Sequence, residues 1–120
     1  NILHYAGANN PLYLVRNNEL IQLKPDRMPI GNHDFSNKDF TLHELSLEKN
    51  DMIYIFSDGF ADQFGGVKGK KYKYGAYKFF LKSIYDFTIE KQKNALKTEF
   101  NRWKGNYEQV DDVCVLGIKI

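Results

Sequence analysis

A single cysteine, three prolines and one tryptophan stand in a chain of 120 residues. The lone thiol, Cys114, can form no internal disulfide and excludes a cysteine-paired zinc site, so nothing here calls for an oxidising compartment. Long apolar runs are also missing. The longest, residues 52–56, falls far short of the ~20 residues that cross a bilayer as a helix, and no signal-peptide pattern occurs. The expectation is a cytoplasmic setting. The three histidines, His4, His33 and His43, lack the spacing of a zinc motif and are not expected to be ligands. The chain opens at Asn1 and runs at once into strand-like sequence, from which we expect a piece of a longer protein.

What is present is enough for a packed core: 42% of residues are hydrophobic and 15% aromatic, with a mean hydropathy of -0.53. This excludes a disordered chain, and the length excludes several domains. The net charge is only +2, but it is segregated, with 11 Lys and Arg against 3 Asp and Glu in residues 64–104 and acids in excess elsewhere. That basic stretch also holds ten aromatic residues, among them Tyr72 and Trp103. An anionic partner therefore has to be weighed against an ordinary solvated surface.

Along the chain, two apolar runs at residues 12–15 and 20–23 flank Asn17-Asn18 and predict a hairpin, because asparagine tolerates the positive φ of a tight turn. Residues 24–39, with Pro25, Pro29 and Gly31, read as a loop anchored inward by Met28 and Ile30. Phe40, Leu42, Leu45 and Leu47 suggest a short, irregular strand. Residues 52–56 are apolar on both faces and predict a central strand covered on each side. A short helix over residues 60–64 and a flexible basic loop over residues 65–71 follow. Tyr74, Tyr77, Leu81 and Ile84 fall at helical spacing, as do Gln92, Leu96, Phe100 and Trp103 after a cap at Thr88, with Gly105 as the stop. Residues 113–120 alternate as a final strand and contain Cys114, read as a buried small hydrophobe. Strands, a helical pair and a last strand give an α+β fold.

Asp58 ends one predicted strand and Asp111-Asp112 precede another. If those strands pair antiparallel, the carboxylates share one sheet edge. An all-oxygen site of this kind suits Mg²⁺ or Mn²⁺. Each piece also reads as a plain turn or cap on its own. The glycines near Lys70 do not make a phosphate loop, since Phe64 stands five residues before Gly69 and Lys71 stands where Ser or Thr belongs.

Taken together, Tyr5-Ala6-Gly7-Ala8-Asn9-Asn10-Pro11-Leu12, Met28-Pro29-Ile30-Gly31, Ile55-Phe56-Ser57-Asp58-Gly59-Phe60-Ala61-Asp62-Gln63 and Gln109-Val110-Asp111-Asp112-Val113 resemble the SpoIIE-type bacterial serine phosphatases of the metal-dependent type 2C (PPM) superfamily. The resemblance runs end to end and in order, and corresponds to the C-terminal part of such a domain. It implies antiparallel sheets packed with helices, an incomplete PPM-like sandwich. It implies metal-binding roles for Asp58 and Asp111, a weaker additional site at Asp62, and a loop-orienting or weaker binding role for Asp112. Two Mn²⁺ or Mg²⁺ ions would activate a water against a phosphoserine or phosphothreonine. Lys70 and Lys71 are candidates for contact with a protein substrate or partner.

The family's upstream metal motif has no counterpart in these residues, and Ala8 stands where many relatives carry histidine. The resemblance implies a parent chain with an upstream sensor module, through which the parent can be membrane-attached, and a phosphorylated anti-sigma-factor antagonist as substrate. For the 120 residues alone it leads us to expect little activity, weak metal binding and self-association. The alternative is a non-catalytic module that binds an anion, nucleic acid or partner through residues 64–104, with nucleic acid the less favoured ligand.

Overall fold

The structure, a computed structural model, describes residues 1–31 and 38–120. In chain order the elements are β1 (Ile2–Tyr5), β2 (Leu12–Arg16), β3 (Glu19–Leu23), β4 (His43–Ser46), β5 (Met52–Phe56), α1 (Gly59–Asp62), β6 (Phe64–Gly65), β7 (Lys70–Lys71), α2 (Tyr74–Ile84), α3 (Ile89–Lys104) and β8 (Val115–Lys119). The main sheet has the order β3-β2-β5-β8, and every strand pair in it is antiparallel. Asn17 and Asn18 turn the first hairpin at φ of 49° and 62°, with Arg16 facing Glu19, as the two-residue loop requires.

Strand alternation sorts the core into two layers. Tyr13, Val15, Met52, Tyr54 and Phe56 point to one face, where Phe60, Tyr72, Tyr77 and Leu81 cover them. The aromatic rings there meet edge-on or tilted, with Phe56 and Tyr77 at 5.1 Å and Phe60 and Tyr77 at 4.8 Å between centroids. Leu12, Leu14 and Ile53 point to the other face, against Leu3, Tyr5 and Leu45 of the two-stranded β1-β4 sheet.

That second cover stops short. Ile55, Leu116 and Ile118 lie on the same face, since Ile55 pairs with Leu116 and Ile53 with Ile118, yet they are 41%, 54% and 42% exposed. The expectation of a central strand covered on both sides therefore holds for Ile53 and fails at Ile55. The Cα radius of gyration, 15.6 Å, exceeds the ~14 Å of a compact domain of this length.

The helical spacing is realised. Tyr77, Leu81 and Ile84 of α2 are buried, while Tyr74 opens the helix at the surface. Thr88 caps α3 by accepting the Lys91 amide, and Gly105 ends it at a φ of 52°.

Four expectations are corrected. Of the two expected anchors only Met28 is buried; Ile30 is 84% exposed, next to Gly31 with its φ of 119°. The short helix ends at Asp62, and Phe64 belongs to β6. The basic loop is a tight hairpin, with Phe64 opposite Lys71 and Gly65 opposite Lys70. Cys114 is exposed rather than buried, since it lies just before β8 and alternates onto the same uncovered face as Leu116. His33 lies outside the described residues. His4 pairs with Glu44 and His43 contacts the Lys24 carbonyl. No helix among the described residues is long and apolar enough to cross a membrane.

Candidate metal centre

Antiparallel pairing of β5 and β8 sets Phe56 opposite Val115, so the end of one strand and the start of the other meet at one edge of the sheet. Asp58 leaves the first and Asp111-Asp112 lead into the second. Ser57 stitches the two segments with three hydrogen bonds. Its amide donates to the Cys114 carbonyl at 3.0 Å, its hydroxyl donates to the Asp112 carbonyl at 2.8 Å, and the same hydroxyl accepts the Cys114 amide at 3.0 Å. Gly59 lies directly against the Asp112 backbone, too close for any side chain.

The carboxylates differ in how they are engaged. Asp58 makes no capping bond to α1, although its carbonyl accepts the Asp62 amide at 2.9 Å. Asp111 uses Oδ1 to accept the Asp112 amide at 2.7 Å, while Gln109 Nε2 donates to the Asp111 carbonyl at 2.9 Å. Those bonds shape the loop and leave Asp111 Oδ2 available. Asp62 pairs with Lys71 Nζ at 3.1 Å, tying α1 to β7. Lys70, the preceding residue of β7, is exposed. Burial raises the Tyr74 phenol above its ordinary pKa, and the negative charges of Asp58 and Asp62 raise it further, which places Tyr74 in the field of both.

Gln63 is a positioning residue that residue type alone did not reveal. Fully buried, its Nε2 donates to the Phe64 and Glu108 carbonyls at 2.9 and 2.8 Å, and its main-chain carbonyl accepts Trp103 Nε1 at 2.9 Å. It thus fastens the end of α1 to the segment that leads into Asp111. The only signal in the sequence was its place at the end of the Ser57–Gln63 motif.

Among the described residues, no three His, Cys, Asp or Glu side chains form a ligand cluster. Among the described residues, the side-chain donors at the ends of β5 and of the loop before β8 are carboxylates. They fit a hard cation such as Mg²⁺ or Mn²⁺ and not a soft one, and as a partial set they leave coordination positions for ligands from outside these residues.

The family model described as Stage II sporulation protein E matches residues 1–120. The chain belongs to the SpoIIE family. This SpoIIE-family chain is 27% identical to the SiaA-PP2C domain of Pseudomonas aeruginosa and superposes on it with a TM-score of 0.91, over 99% of this chain and 46% of that one. The PP2C phosphatase domain of the cell fate determinant SpoIIE from Bacillus subtilis, solved with a fragment of its regulatory domain, gives 20% identity and a TM-score of 0.75, over 99% and 34%. A Mn-presoaked structure of the Bacillus subtilis SpoIIE phosphatase domain gives 18% and 0.65, over 99% and 50%. No curated protein sequence matches the chain. The SpoIIE-family chain thus spans about half or less of the domains it resembles, and its antiparallel sheets packed with helices are those of the PP2C-like fold.

Proposed function

We propose that this SpoIIE-family segment is the C-terminal part of a protein serine/threonine phosphatase domain, with Asp58 and Asp111 as metal-binding carboxylates. The observation that carries the reading is the Ser57 stitch, which holds the end of β5 and the Asp111-Asp112 loop at one sheet edge. Asp58 and Asp111 would hold Mn²⁺ or Mg²⁺, which when bound supplies a water acidic enough to attack phosphorus at neutral pH. Asp58 presents a carboxylate with no capping duty, and Asp111 presents Oδ2 from a loop fixed by its own Oδ1. Asp112 orients that loop through its backbone. Asp62 is the weaker candidate, because a second cation has to compete with Lys71 for it. Lys70, beside that pair, remains the candidate contact to a protein substrate.

As substrate we propose a phosphorylated protein such as an anti-sigma-factor antagonist, in a cytoplasmic signalling setting, with an upstream module carrying the input. The 120 residues alone should be nearly inactive, since two carboxylates under-coordinate a dinuclear site.

The decisive experiment uses a chain carrying this segment together with the preceding half of the domain, and measures Mn²⁺-dependent hydrolysis of a phosphoserine protein. Asp58→Asn and Asp111→Asn should each lower kcat by about 10²-fold or more, as loss of a charged group acting on the transition state does. Turnover indifferent to Mn²⁺ and to both substitutions defeats the reading. The competing nucleic-acid module has less support, because Tyr72 is buried and stacks edge-on with Trp103 at 5.3 Å, whose indole N–H is already used.

A further inference from the structure

On the helix side of the sheet, at the same end as Asp58, lies a separate open cavity of about 440 Å³. The strand register puts it there. Tyr13 faces Tyr54 and Leu12 faces Leu23, so Asn9 before β2 and Lys24 after β3 lie at the end of the sheet where β5 delivers Asp58. The third wall is the start of α2, which is fixed to α1 by the Lys73 amide donating to the Ala61 carbonyl at 2.8 Å. Tyr74, which lies in the field of Asp58 and Asp62, stands in that wall.

Three cationic residues line this cavity, Lys24, Arg27 and Lys78, and among the described residues no Asp or Glu does. Lys78 is held in place: its Nζ donates to Gln22 Oε1 at 2.6 Å and sits 5.3 Å from the centroid of the Tyr13 ring. Lys24 and Arg27 are exposed, and among the described residues neither side chain has an ion-pair partner. This sets them apart from Arg16, Lys71 and Arg102, each of which meets a carboxylate. Like charges gathered on one concave surface with no carboxylate in its described lining repel one another and raise the positive potential there. An oxyanion bound there relieves that repulsion, and the planar Arg27 guanidinium suits two-point binding of a carboxylate or phosphate.

We propose that the Lys24, Arg27 and Lys78 cavity is a specificity subsite that takes an oxyanion on the substrate polypeptide, near the phosphorylated residue in sequence. The proposal rests on the phosphatase reading. It assigns the cavity no part in bond breaking: the scissile phosphate belongs to the carboxylate edge, and the second anion selects and aligns the polypeptide. Two chemical sources can supply that oxyanion, an Asp or Glu side chain or a second phosphorylated residue.

The test uses the chain carrying this segment together with the preceding half of the domain. Steady-state kinetics are measured on p-nitrophenyl phosphate and on three sets of phosphoserine peptides, with neighbouring residues neutral, acidic or bearing a second phosphoserine. Each position within three residues of the phosphoserine is varied in turn. For the unsubstituted protein, kcat/KM should be higher for the acidic or doubly phosphorylated peptides than for neutral ones, through KM, and the preference should shrink with added salt. Preference within the charged sets identifies the source.

The double variant Lys24→Glu/Arg27→Glu should lose that preference, a fall of about tenfold or more in kcat/KM for the charged peptides. It should leave the neutral peptide and p-nitrophenyl phosphate unchanged. Arg27→Lys with native Lys24 should fall between the unsubstituted protein and the double variant, keeping the charge but not two-point binding, with the neutral peptide unchanged, which separates charge recognition from a folding defect. Equal kcat/KM for all three sets, or an equal loss on every substrate in the charge-reversed protein, overturns the subsite. Absence of turnover of every ester by the unsubstituted protein defeats the phosphatase reading instead, and the subsite falls with it.

Discussion

The α-carbon of Gly59 lies against the backbone carbonyl of Asp112, so that a Cβ at this position would overlap the carbonyl oxygen and stand 2.9 Å from the carbonyl carbon. Both atoms on the far side are backbone, so no side chain can swing away to make room. Gly59→Ala must therefore push the start of α1 away from the Asp112 loop and break the register that Ser57 fixes. The expected outcome is a loss of about 1–3 kcal/mol, as for other overpacked sites, measured by denaturant unfolding of the segment. In the extended protein, turnover should fall further than the small stability change explains, because Asp58 and Asp111 are displaced relative to each other.

Ser57→Ala probes the same edge without a steric clash. It removes a hydroxyl that donates to Asp112 and accepts from Cys114. The Cys114 amide loses its partner, and destabilisation of about 1–2 kcal/mol is expected. Hydrogen exchange should accelerate at Cys114 while the amides of the β2-β3 hairpin keep their protection. Uniform acceleration across the sheet would show that the stitch has no local role.

At the opposite end of the sheet, Arg16 holds Asp51 with two hydrogen bonds at 2.8 and 2.6 Å, and Asp51 Oδ2 also accepts the Glu48 amide at 2.8 Å. The Arg16 guanidinium, foremost, keeps the Asp51 carboxyl below its ordinary pKa in the folded protein. Between the folded and unfolded pKa values the unfolded chain binds more protons, so stability rises with pH across that window. The contribution is complete above the ordinary Asp pKa of about 4 and is lost as pH falls through the lowered folded value. Asp51→Asn should flatten this part of the pH–stability curve below about pH 4, as read by thermal melts at a series of pH values. An unchanged acid slope in the variant would contradict the assignment.

Lys73 precedes α2 at a φ of 73° and ψ of 149°, a backbone region that suits glycine and strains any other residue. Its amide and carbonyl are both engaged, with Ala61 and with Tyr77, which holds it there. Lys73→Gly should raise stability by about 1 kcal/mol by releasing that strain, measured as a higher denaturant midpoint at unchanged slope.

The uncovered face of β5 and β8, with β8 at the edge of the sheet, should make the isolated 120 residues self-associate. Sedimentation over a range of concentrations should show a dimer or larger species. Leu116→Lys/Ile118→Lys should shift it toward monomer, while a strictly monomeric wild-type segment at high concentration would contradict the idea.

Much of this was legible in the residues. Local rules fixed the Asn17-Asn18 turn, the Thr88 cap and the Gly105 stop, because each depends on a few neighbouring backbone dihedrals and hydrogen bonds. The apolar periods of α2 and β5 were legible for the same reason. The order of the motifs around Asp58 and Asp111 carried the family, since carboxylates at strand ends mark a site only in combination.

Tertiary structure decided what depends on partners distant in the chain. Pairing of β5 with β8 brought Ser57 and Gly59 onto the Asp112 backbone 55 and 53 residues away in sequence. It also gave Gln63 its reach to Glu108. Ile55 reads as core by residue type, yet it is exposed because burial requires a covering layer and β1-β4 does not extend over it. Cys114 reads as a buried strand residue, yet it lies just before β8, bonded to Ser57 and exposed, because no layer covers that face. Sequence thus determined which elements form and which chemistry their ends can carry. Only long-range packing decided which of those ends meet, because backbone contact between distant segments leaves no periodic trace in either of them.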